Sequence, residues 1–298
     1  MKKLITMAVL AGVVFSAAAQ TKTRSLTLPD FTGVDVSSYF QIEISKGDKI
    51  DVEITYSAEL EPYIVSKVNS SGVLRLGIDT KDMPRDMKRE NNRGKYILSA
   101  KIIVPDLVSL NASGATKVDF QGRFTPRSFK GDFSGASSVK GLDINTQSLS
   151  IDCSGASKLQ ISGNISGKAS YDFSGASNAD IRQDIGKLDI EVSGASNINL
   201  KGSFTDMSVD LSGASSMDAA GKGDKLNVEV SGASHFNGKD LSVNSASVDA
   251  SGASRAFVNV SKVLNVDITG SSSLRYSDSR SVQINVKNVS KGASLIKQ

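Results

Sequence analysis

The sequence predicts an all-β fold, a single-chain parallel β-helix or β-solenoid with coils of about 20 residues, on three observations. The first is a repeat. Ala-Ser-Gly-Ala-Thr at 112 to 116 is followed by seven copies of Ser-Gly-Ala-Ser and a degenerate Thr-Gly-Ser-Ser at 269, nine in all. Their glycines, Gly114, Gly135, Gly155, Gly175, Gly194, Gly213, Gly232, Gly252 and Gly270, are 18 to 21 residues apart, the near-fixed period of coils stacked on coils. The second is alternation. Leu188, Ile190 and Val192 before Gly194, and Ile198 and Leu200 after it, are separated by polar residues, which is strand spacing. The third is that repeat positions form apolar columns. Two residues before each glycine stand Ala112, Phe133, Cys153, Phe173, Val192, Leu211, Val230, Ala250 and Ile268. Four residues after it stand Val118, Val139, Leu159, Ala179, Ile198, Met217, Phe236, Ala256 and Leu274. The column directly after the glycine, Ala115 to Ala253 and then Ser271, reads as a third core column, small enough for a tight corner where Gly bends the chain.

In chain order, residues 1–19 read as a secretory signal: Lys2-Lys3, the apolar run Leu4 to Phe15, then Ser16-Ala17-Ala18-Ala19. That run is shorter than the ~20 residues that span a bilayer, so no transmembrane anchor is expected. No Cys follows it, so lipid attachment there lacks an acceptor thiol. The mature chain is expected to be exported, either periplasmic or extracellular at the cell surface. Residues 25–286 read as one solenoid domain, with a lead-in over 25–105, repeat coils over 106–276 and a C-terminal cap over 277–298. The lead-in carries alternating runs such as Ile50-Asp51-Val52-Glu53-Ile54 and Val73-Leu74-Arg75-Leu76-Gly77-Ile78, interrupted by a predicted short helix from Glu59 to Val68. Residues 81–95, with six basic and three acidic side chains, read as a solvated excursion between strands. Val282-Gln283-Ile284-Asn285-Val286 reads as a further strand before a polar tail, Lys287 to Gln298. At about 4.8 Å per coil, nine coils make a rod roughly 40 Å long, whose end edges need covering. Its winding is taken as right-handed by analogy with long-repeat solenoids.

Composition narrows the chemistry. One Cys excludes a disulfide framework, and one His excludes a multi-histidine metal centre. Without Lys2 and Lys3 the formal charge falls from +4 to +2, which gives no support for nucleic-acid binding. The most unusual column lies three residues before each glycine: Asn111, then Asp132, Asp152, Asp172, Glu191, Asp210, Glu229, Asp249 and Asp267. Carboxylates about 5 Å apart repel by about 1 kcal/mol per neighbouring pair even in bulk water. Calcium bridging successive coils is one account, and the only cofactor the sequence raises. The other is a solvated face balanced by Lys, Ser and Asn in adjacent columns. Two hydroxyl columns flank the corner, Ser113 to Thr269 and Thr116 to Ser272. A catalytic serine fails on multiplicity, because His235 is the sole imidazole and cannot serve nine coils. Bonding of the hydroxyls to backbone groups at the bend covers every copy. His235 occupies an outward polar slot, and Cys153, between Phe133 and Phe173, reads as a buried small hydrophobe. The basic 81–95 segment could alternatively touch anionic glycan or lipid headgroups.

The secretory signal, the lead-in Phe31-Thr32-Gly33-Val34-Asp35-Val36 with Phe40-Gln41-Ile42-Glu43-Ile44, and the serial Ser-Gly-Ala-Ser coils resemble the head GIN domain family, bacterial proteins common in Bacteroidota and catalogued as auto-transporter adhesins. The resemblance covers nearly all of the mature chain and implies a secreted β-solenoid with an adhesin label. No β-barrel translocator is expected between the coils and Gln298, a departure from a self-exporting adhesin. The expected function is a noncatalytic envelope or surface module whose regular face binds a protein, a glycan or another copy of itself. The alternatives are a lyase-like enzyme on acidic polysaccharide, resting on fold analogy, and a periplasmic sensor or scaffold partner.

Overall fold

The computed structural model describes residues 21–278 and 282–298; the expected secretory signal lies outside the described residues. The chain is a parallel β-solenoid of about nine turns of about 20 residues. Its first seven strands are β1 (Thr21–Ser25), β2 (Gly33–Val36), β3 (Gln41–Lys46), β4 (Asp51–Ser57), β5 (Ile64–Val68), β6 (Val73–Ile78) and β7 (Leu98–Val104). Four short strands follow, β8 (Ser109–Ala112), β9 (Lys117–Gln121), β10 (Arg123–Phe124) and β11 (Ser128–Phe133). Thereafter one long bent strand runs from each corner to the next. These are β12 (Ser138–Cys153), β13 (Lys158–Phe173), β14 (Asn178–Val192), β15 (Asn197–Leu211), β16 (Ser216–Val230), β17 (His235–Ala250) and β18 (Arg255–Ile268). The stack ends in β19 (Ser273–Asp278), β20 (Gln283–Val289) and β21 (Ser294–Lys297).

The stack is held at its corners. Each of the nine repeat glycines has φ between +68° and +76°, a region that L side chains enter only at a cost of about 1–2 kcal/mol. Space forbids a side chain as well, since a Cβ built on Gly135, Gly155 or Gly175 would sit 2.5 Å from the carbonyl oxygen of the preceding corner glycine. The following residue donates its N–H to that same carbonyl, as from Ala136 to Gly114 at 2.6 Å and from Ala195 to Gly175 at 2.8 Å. One hydrogen-bond ladder therefore runs unbroken through the bends.

The two apolar columns on either side of the glycine are buried throughout. The alanine column is not: Ala115, Ala136 and their equivalents are exposed, and the inward position belongs to the next residue, Thr116 through Ser272, at 0–1% exposure. The expectation of a third apolar core column is corrected accordingly. At the left-handed corner the glycine and the alanine both lie outside, and the inward positions resume two residues after the glycine in the same phase as before it.

The solenoid extends past the signature at both ends. Val36 and Ile42 pair with Ala112 and Val118, so residues 33–46 form a coil ahead of the first repeat glycine. Ser38 occupies its corner with φ +78°, the only non-glycine positive φ among the described residues. Beyond this coil the two sheet edges are closed by β6 and β5 on one side and by β7, β4 and β1 on the other, with antiparallel pairing in the outer strands. At the far end, β21 pairs with β19 beyond a further Gly-Ala-Ser at 292–294, where a strand replaces the expected polar tail. Val286, Val289 and Ile296 are exposed there.

The predicted helix from Glu59 to Val68 is corrected to a 3-10 turn, Ala58–Tyr63, followed by β5. Pro62 has no N–H to continue a helix, and the β-branched Ile64, Val65 and Val68 favour strand. The expected loop over 81–95 instead contains helix α1 (Arg85–Asn92). Met83 is buried, Met87 packs against the core, and the Tyr39 hydroxyl donates to Asn91 Oδ1 at 2.7 Å, which seats α1 over the corner of the first coil.

Candidate functional site

With the inward columns filled by apolar side chains and hydroxyls, chemistry in this fold resides on its outward columns. The eight acids from Asp132 to Asp267 pair in register on successive strands, β11 through β18. They form one continuous file of exposed or half-exposed carboxylates. The neighbouring outward column runs Lys130, Ser150, Ser170, Asp189, Ser208, Asn227, Ser247 and Asn265, so it supplies hydroxyls and amides far more than cations. Among the described residues only Asp267 of the eight has an ion-pair partner, Lys287 at 2.6 Å. The hydrogen bond and charge of Asp267 hold the Lys287 ammonium above its ordinary pKa. At the other end the same file continues through Asn111 to Asp35, whose carboxylate lies 3.5 Å from Arg75 Nε. A cation thus closes the acidic file at each end.

Among the described residues no group of three or more carboxylate, Cys or His side chains is placed to hold a metal ion. The file offers one carboxylate per coil. The buried hydroxyl column is structural in its bonding. Thr116, Ser157, Ser177, Ser215 and Ser272 each donate to the carbonyl three residues earlier, at 2.6–2.9 Å. Ser254 reaches back to the Val230 carbonyl at 3.1 Å. The other hydroxyl column, Ser113 to Thr269, is half-buried at the rim. Cys153 is 2% exposed; burial foremost, with the charges of Asp152, Asp132 and Asp172 behind it, pushes its thiol far up, away from reactivity.

His235 is exposed on the face that follows the corner, where the sequence places it. The structure gives it neighbours that sequence columns do not advertise. It lines a concavity of about 380 Å³ with Asn237, Arg255, Phe257, Ser273 and Arg275. Phe257 sits on an outward position, and a signal for it exists in the parity of Ala256-Phe257-Val258. A larger cleft of about 710 Å³ opens in the lead-in, lined by Leu26, Leu28, Phe31 and Ile50 together with Asp30 and Asp48. Its remaining carboxylate, Asp106, is engaged by the N–H groups of Leu107 and Thr125, both at 3.1 Å.

The family profile described as "Putative auto-transporter adhesin, head GIN domain" matches residues 30–185 and 169–279, which between them take in most of the lead-in and every repeat coil. The chain belongs to the head GIN domain family. No curated protein matches the sequence. Among solved structures, this head GIN protein is similar to a putative adhesin from Parabacteroides merdae at 15% identity and a TM-score of 0.50, covering 94% of this chain and 97% of that one. A putative adhesin from Parabacteroides distasonis is similar at 16% identity and a TM-score of 0.48, covering 94% and 98%. A putative lipid binding protein from the same species is similar at 15% identity and a TM-score of 0.47, again covering 94% and 98%. At such identities the likeness to the Parabacteroides merdae protein concerns the fold of the head GIN chain. Among the described residues no helix is long and apolar enough to cross a membrane.

Proposed function

We propose that this chain is an exported, noncatalytic binding module of the adhesin type, which meets a protein or glycan partner at the cell envelope through its outward columns. The observation that carries this reading is the register of the stack. The outward columns beside each corner, the acidic file Asp132 to Asp267 foremost, repeat coil upon coil along a rod stiffened by continuous hydrogen bonding through its corners. A rigid surface of repeated groups suits many weak contacts made at once, each adding avidity without a deep pocket. The adhesin description of the matched family supports the same reading, and the signal pattern of residues 1–19 supports export.

The test pairs accessibility with binding. Intact cells producing the protein are treated with a membrane-impermeant lysine label, and the purified mature chain is screened against immobilised matrix proteins and glycans. Labelling on intact cells together with saturable binding is expected. Labelling only after the outer membrane is opened, with no binding partner in the screen, would overturn the adhesin reading.

A further inference from the structure

We propose that the concavity formed by Arg255, Phe257 and Arg275 binds a carboxylated sugar residue of an anionic glycan. This deepens the reading of the chain as a binding module and rests on it. Ten aromatic side chains lie on the coils of residues 106–276, and all but Phe257 are buried. Phe257 alone is turned to the outward face, half-buried, with Asn237 beside it on the preceding coil and Arg275 beside it on the next. Arg255 pairs in register with Ser273, two residues from Arg275 along the strand. The two arginine backbones are thus roughly 8 Å apart, one strand spacing across and two residues along.

Both guanidiniums are exposed, and among the described residues neither has an ion-pair or hydrogen-bond partner, although Arg75, Arg123 and Arg182 all have carboxylate partners. Among the described residues no cation lies over the Phe257 ring: the cations over rings are Arg24 on Tyr56 and Lys46 on Phe124. No carboxylate lines the concavity, in a protein whose other outward face is a file of acids. Its volume of about 380 Å³ falls within the range of about 300–1,000 Å³ found for small-ligand sites.

These groups select a ligand class. A guanidinium fork recognises a planar carboxylate through paired hydrogen bonds. An exposed aromatic face receives the apolar face of a flat ring. His235 and Ser273, at the edge of the concavity, add donors and acceptors suited to sugar hydroxyls. A sugar acid presents a carboxylate, a ring with an apolar face and hydroxyls within one residue, whereas a bare inorganic anion has no use for Phe257.

Calorimetric titration of the full mature chain with tetragalacturonate and with a sialylated trisaccharide tests the assignment. Saturable binding of at least one is expected, at least tenfold weaker for its methyl ester. Arg255→Ala, Arg275→Ala and Phe257→Ala should each weaken binding about tenfold or more, and Arg275→Lys should recover part of the loss. All four are surface changes, and unchanged circular dichroism and melting temperature verify folding. The assignment is overturned if neither sugar binds, if the three alanine variants bind as the wild type does, or if sulfate and phosphate displace the sugar at equal concentration. Failure of sugar binding alongside retained binding in the partner screen sinks this site and leaves the binding-module reading intact. Release of unsaturated products from the oligouronate would sink the noncatalytic reading and leave the site standing.

Discussion

The hydroxyl of Tyr171 donates a hydrogen bond to Oε1 of Gln183 inside the apolar core, joining two otherwise isolated polar groups that are 1% and 2% exposed. The Tyr171 ring lies parallel to Phe173 at 5.8 Å, and burial holds its phenol well above the usual pKa. The Gln183 Nε2 has no hydrogen-bond partner among the described residues. Removing either member leaves the other unsatisfied in a dry site, at about 1–3 kcal/mol. Tyr171→Phe and Gln183→Met should each destabilise by that order, and the double variant should lose less than the sum. A urea double-mutant cycle measures the coupling; strictly additive losses would show that the pair does not act as one unit.

Substitution at the corners separates backbone strain from crowding. Gly72 and Gly175 have φ of +68° and +72°, but a Cβ on Gly72 meets nothing within 4 Å while one on Gly175 meets the Gly155 carbonyl at 2.5 Å. Gly72→Ala should cost about 1–2 kcal/mol, the price of the left-handed conformation alone. Gly175→Ala should cost clearly more, because the ladder of stacked glycines must part. Equal losses in chemical denaturation would refute the crowding argument. Ser38→Gly, which relieves the same conformation where no glycine stands, should raise stability.

The acidic file predicts a salt-dependent effect. Asp172 sits between Asp152 and Glu191 with no ion-pair partner among the described residues. Asp172→Asn should therefore raise the melting temperature at low ionic strength, and the gain should shrink as added salt screens the repulsion. Asp267→Asn removes the partner of Lys287 and should give no such gain. Calcium should act no differently from magnesium at equal ionic strength, and a saturable calcium-specific rise in melting temperature would contradict this.

Alkaline pH should loosen the N-terminal end. Burial raises the Tyr39 phenol to about 12 in the folded chain against an ordinary value of 10.0. A raised pKa means that its contribution is complete below pH 10 and is lost as pH climbs from 10 towards 12, because the unfolded chain ionises first. Tyr39→Phe should lower stability at neutral pH by removing the bond to Asn91 while flattening the decline between pH 10 and 12. Guanidinium melts at several pH values report both, and an unchanged alkaline slope would assign the titration elsewhere.

The solenoid was legible because its core columns repeat: Phe133, Cys153 and Phe173 line up from spacing alone, and the stack buries them. The alanine column misled because a small residue was taken to face inward at the bend, whereas the alternation of the flanking strands, from Ala112 through Thr116 to Val118, runs across the glycine in one phase and leaves the alanine outside. The coil at residues 33–46 was hidden by Ser38, which adopts the glycine conformation without being glycine. Helix α1 has no apolar stripe to reveal it, since its seat depends on contacts such as Asn91 with Tyr39, 52 residues away in sequence. On the outward face, Asp132 through Asp267 announced themselves by repetition. The Arg255, Phe257 and Arg275 grouping did not, because it occurs once and spans two coils.

The corner ladder bears on how such a molecule can change size. Repeat lengths vary between 18 and 21 residues, yet the glycines stay stacked, because the surplus is absorbed at register shifts away from them, as between Thr146 and Ser148 or Gly238 and Ser242. Each coil touches chiefly its two neighbours. Tandem duplication or loss of one whole unit would thus alter the molecule's height in steps of about 4.8 Å while every remaining contact is kept.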